Sequence, residues 1–71
     1  MDMREKIKIA AEIESRFHAA RTLSVKAKRG GAIALVAVSG GAHFFLFDTR
    51  NGQASCDTYD RATAELSFKR A

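Results

Sequence analysis

The chain has 71 residues, twelve of them Lys or Arg and eight Asp or Glu, for a formal net charge of +4. That length makes a single domain with a thin core, one that buries only about 60% of the surface its unfolded form exposes. A hydrophobic content of 46% with 28% charged residues excludes a disordered tail, and one cysteine excludes an internal disulfide.

No apolar run approaches the roughly 18 residues of a membrane span. The N-terminus, MDMREKIKIA, mixes acids with lysines and does not read as a signal peptide. With its single cysteine, the expected setting is reducing and cytoplasmic.

Asp2 and Glu5 have the spacing of a capping box. Beyond them Met3, Ile9, Ala10, Ile13, Phe17 and Ala20 fall within a third of a helical wheel, predicting a helix over 3–20. From Leu23 the period becomes two. TLSVKAK, AIALVAV and AHFFLFD are separated by Arg29-Gly30-Gly31 and Ser39-Gly40-Gly41, which predicts strands over 22–28, 32–38 and 42–48 joined by tight hairpins. The turn Thr49-Arg50-Asn51-Gly52 then leads into a fourth strand over 53–59. In the last segment Asp60 could cap a helix over 61–70, yet Ala62, Ala64, Leu66 and Phe68 alternate with polar residues and favour a fifth strand over 63–69. The expected fold is α+β: an N-terminal helix packed on one face of an antiparallel meander of four to five strands.

Two-residue loops at Gly30-Gly31, Gly40-Gly41 and Asn51-Gly52 set a register. Leu23, Val25, Ala27, Ala34, Val36, Val38, His43, Phe45 and Phe47 then share a face for Met3, Ile9, Ile13 and Phe17 to cover. The opposite face gathers Ile33, Leu35, Ala37, Phe44 and Leu46, with Lys26 and Lys28 at one edge and Asp57 and Tyr59 at the other. One helix cannot cover both faces. The second is therefore either filled by the C-terminal segment, through Leu66 and Phe68, or left bare as an interaction surface.

The residues expected to form that surface are Ile33, Leu35, Phe44, Leu46, Tyr59, Lys26, Lys28 and Asp57. They would make the protein a non-catalytic interaction module of the accessory-regulator or inhibitor kind, self-associating as a homodimer or docking on another protein. A second reading is single-stranded nucleic-acid binding, with Phe44 and Tyr59 as stacking platforms beside Lys26, Lys28, Arg29 and Arg50.

Catalysis is the weakest reading. His43, Cys56 and Asp60 are the only reactive set, and the register pairs His43 with Asp60 but leaves Cys56 opposite Phe47. Two histidines and one cysteine without CxxC or HxxxH spacing make no metal site, and Glu12 and Glu14 diverge on a helix. RGGAIALV and SGGAHFF lack the phosphate-loop patterns and lead into strands. No metal or cofactor is expected.

Overall fold

The computed structural model describes the backbone of residues 1–71 and the side chains of all but residues 53–57. Helix α1 is Met3–Arg16, followed by strands β1 Ala20–Lys28, β2 Gly31–Val38, β3 His43–Asp48 and β4 Gly52–Thr58, and by helix α2 Arg61–Arg70. The strands pair antiparallel in the order β1-β2-β3-β4. The protein is thus α+β, with an N-terminal helix and an antiparallel sheet, and a second helix closes the chain.

Asp2 caps α1 as its spacing implies, accepting a hydrogen bond from the Glu5 N–H at 2.9 Å. The helix stops at Arg16, short of the expected residue 20. Phe17 donates its N–H to the Ile13 carbonyl, and Ala19 takes a left-handed φ of 59° that turns the chain back into β1. Ile13 is fully buried, yet Met3, expected in the core, is 71% exposed. Only the C-terminal half of α1 is docked, with Ile9 and Phe17 packing around Ala34, Val36, Phe45 and Phe47. The Phe17 ring meets Phe45 and Phe47 edge-on at 5.1 and 5.7 Å.

The β2–β3 register pairs Val38 with His43, as two apolar runs around Gly40-Gly41 require. The first hairpin closes instead on Arg29-Gly30, pairing Lys28 with Gly31. The displacement from the expected register is two residues, so every side chain from Ser24 to Lys28 keeps its face. A bulge between Thr22 and Ser24 then turns Leu23 to the opposite face, where it packs with Ile33, Leu35 and Phe44. The third hairpin pairs Asp48 with Gly52, and further on Phe44 with Thr58. That is one residue from the expected pairing of Phe44 with Tyr59, an odd slip.

The segment expected as a fifth strand is α2. Asp60 caps it, accepting from the Thr63 N–H at 3.2 Å and the Thr63 hydroxyl at 2.6 Å. Ala64 and Phe68, one helical turn apart, lie against the second face of the sheet, while Leu66 points away at 48% exposure. Lys26 locks the other end. Its ammonium donates to the carbonyls of Phe68 (2.6 Å) and Lys69 (3.3 Å) and lies 4.7 Å from the Phe68 ring centroid. A cation at a helix C-terminus complements the exposed carbonyls there.

Candidate interaction surface

The expected site fails at its centre. Ile33, Leu35, Phe44 and Leu46 are only 2–4% exposed, because α2 covers them through Ala64 and Phe68. Lys26 is bound to the end of α2, and Lys28 bridges to Asp48 at 2.9 Å. Burying these apolar side chains, each worth about 1.5–3 kcal/mol, is what attaches a helix of only ten residues. Asp57 lies outside the described side chains, as does Cys56 of the reactive set.

The stacking platform is dispersed too. Phe44 is buried, whereas Tyr59 is 83% exposed with its ring 4.9 Å from that of His43. Arg29 is exposed at the first turn. Arg50 packs on the same turn, where a Cβ on Gly30 would come within 2.8 Å of its guanidinium and one on Gly31 within 2.5 Å of the Thr49 hydroxyl. The glycines of the first pair are there for close approach between two turns. Thr49 holds the arrangement, accepting from the Ala32 N–H and donating its own N–H to the Ala32 carbonyl. Of the expected surface, Tyr59 and Lys28 are exposed among the described residues; Lys28 is paired with Asp48, and Tyr59 shares no platform with the buried Phe44.

Charged groups elsewhere serve the fold. The Lys28 ammonium, and then the Arg50 N–H, hold the Asp48 carboxyl below the ordinary carboxylate range. The Thr63 hydroxyl, then its N–H, does the same for Asp60, which belongs to the α2 cap. Asp60 therefore has a structural task in the α2 cap. Among the described residues, no three of His, Cys, Asp and Glu gather within reach of one metal ion. Among the described residues, no helix is long and apolar enough to cross a membrane.

The unmatched apolar surface lies on the other side of the molecule, along α1. Met3 and Ile7 are 71% and 62% exposed, and one helical turn separates them. Ala10 and Ala11 continue the stripe for another turn. Between this flank and β1 runs a groove of about 360 Å³, lined by Lys6, Ile7, Ala10 and residues 22–25. Thr22 sits in it with its hydroxyl oxygen buried and without a described hydrogen-bond partner.

The edge of β1 beside the groove is guarded. Its Thr22 N–H is taken by the Glu14 carboxylate at 2.9 Å, the bulge at Leu23 interrupts the ladder, and Lys26 and Lys28 follow. Bulges and lysines are the devices by which edge strands resist pairing with another chain. The exposed feature is therefore the helix flank. Its signal in the sequence was Ile7, which falls outside the arc that predicted the core. Comparison of the chain with protein-family models, with curated proteins and with solved structures found no match.

Proposed function

We propose that the protein is a non-catalytic interaction module that engages a protein partner through the outer flank of α1. The observation that carries this reading is the pair Met3 and Ile7, 71% and 62% exposed on a helix whose Ile13 is completely buried. A helix of 14 residues has enough apolar surface for one contact, yet α1 carries two: one toward the sheet, one toward solvent. The second is contiguous with Ala10 and the groove beside β1, the kind of concave apolar patch that interaction sites use. Large aliphatic side chains over small ones supply the packed centre, and the charges of α1 form a polar rim.

In-cell photo-crosslinking tests it. A benzoylphenylalanine replacing Ile7 should give a covalent protein adduct, and one replacing Glu65, exposed on α2, should not. Adding Met3→Asp should abolish the adduct. The absence of any adduct from position 7 would refute the reading.

A further inference from the structure

We infer that the partner of the α1 flank is a second copy of this chain, bound antiparallel about a two-fold axis. This rests on the interaction reading above and adds the occupant. The argument comes from the distribution of charge along α1. Its first half carries Arg4, Lys6 and Lys8 against Glu5, and its second half carries Glu12 and Glu14 before Arg16. A parallel neighbour would set like charges together; an antiparallel one sets cationic half against anionic half.

The stripe fits the same operation. With 3.6 residues per turn, Met3, Ile7, Ala10, Ala11 and Glu14 lie on one side of α1. An antiparallel two-fold that lays Ile7 over the partner's Ala11 brings Arg4 level with the partner's Glu14. Each contact occurs twice, as an isologous interface requires. A large side chain over a small one lets the helices approach closely. Glu14 has the capacity, because only its Oε2 is committed, to the Thr22 N–H at 2.9 Å. The guarded edge of β1 disfavours strand pairing on this side of the sheet, where the α1 flank offers helix packing instead. A standard interface of about 800 Å² per partner is about one sixth of this chain's 4762 Å² surface, and it would centre on Met3 and Ile7 of the α1 flank.

Sedimentation of the purified protein with charge-reversed variants tests the geometry. The wild type should self-associate. Arg4→Glu and Glu14→Arg should each weaken self-association about tenfold, since each replaces two ion pairs by two repulsions. Mixed together they should recover it as a heterodimer, and so should the double variant alone. Ile7→Asp should weaken it about thirtyfold or more, with circular dichroism unchanged because the side chain is exposed. A wild type that stays monomeric, or a mixture that fails to recover, overturns the homodimer. Crosslinking from position 7 separates the two failures: an adduct to a different protein overturns the second copy alone, and no adduct overturns the flank itself.

Discussion

The two faces of this sheet are covered by helices that do opposite things with their surface. On one face α2, ten residues long, presents Ala64 and Phe68 to the sheet and is fastened at both ends, by the Asp60 cap and by Lys26. On the other, α1 has fourteen residues but packs on the sheet through the apolar side chains of Ile9 and Ile13, with Phe17 just beyond its end, leaving Met3 and Ile7 in solvent. The shorter helix is the one used up by the fold. The longer helix has surface left over, so the apolar face open to a partner lies on α1 rather than on the sheet.

That contrast can be broken first at the core. Ile13→Ala should cost about 2–5 kcal/mol, because it leaves a cavity among Ala34, Val36, Phe45 and Phe47 where α1 is attached. Denaturant unfolding measures it. By contrast, Ile7→Ala on the same helix should change monomer stability by less than about 0.5 kcal/mol. Equal losses at the two positions would mean that Ile7 is part of the fold and the flank is no free surface.

Next comes the tighter face. Ala64 has no exposed surface, so Ala64→Leu should push α2 off the sheet at a cost of about 1–3 kcal/mol. Exposed Phe44 and Leu46 would then bind a hydrophobic dye that the wild type does not. The experiment recreates the bare sheet face that the alternating pattern of residues 62–68 suggests.

The alternation misleads for a definite reason. Ala64 and Phe68 are spaced by four, which satisfies a strand's period of two and a helix's i,i+4 spacing equally well. The deciding signal was local: Asp60 is an N-cap three residues before Thr63, and the Thr63 hydroxyl and amide both donate to the Asp60 carboxylate. Elsewhere, the second Gly-Gly pair marked the Val38–His43 register, and the two-residue displacement of the first hairpin was harmless to the faces because it was even. The bulge at Leu23 had no signature in its own strand. What it achieves is tertiary: it places Leu23 against the apolar cluster that α2 also covers. The candidate site was hidden for the same reason: one cannot know which face is bare before knowing what the last ten residues become.

Lys26 offers a milder way to separate the helices. Lys26→Met keeps most of the packing on Phe68 but removes the ammonium from the Phe68 and Lys69 carbonyls, and should cost about 1 kcal/mol. Hydrogen exchange should show the last turn of α2 fraying while α1 is unchanged. Equal loosening of both helices would show that they unfold as one unit and have no separate attachments.

Acid acts on the same elements. Asp48 and Asp60 are both held below the ordinary carboxylate value of about 3.9, by Lys28 and the Arg50 N–H in one case and by Thr63 in the other. Each therefore contributes stability that is fully present above that value and is lost as pH falls through the depressed one. Acid unfolding should set in below about pH 4. Asp60→Asn, which keeps an acceptor for the α2 cap, should flatten this dependence more than it lowers stability at pH 7. An unchanged acid profile would mean that the cap contributes as a hydrogen bond alone.

The smallest effect should have the opposite sign and lie at the hinge between α1 and the sheet. Ala19 holds φ at 59°, a conformation that costs an L residue with a Cβ about 1–2 kcal/mol. The turn keeps it there because the Ala19 carbonyl accepts the Ser39 N–H at 3.1 Å, tying the end of α1 to the β2–β3 loop. Ala19→Gly removes the strain but adds freedom to the unfolded chain, so the net gain should be only about 0.5 kcal/mol. What matters is where the gain falls. Protection should rise at Phe17 and at the start of β1 and stay constant in α2, since no part of α2 touches this turn's hydrogen bonds. A gain spread evenly over the molecule would mean that the attachment of α1 is as cooperative with the core as that of α2. The outer flank of α1 would then be held as rigidly as the sheet, presented to its partner with no docking equilibrium of its own.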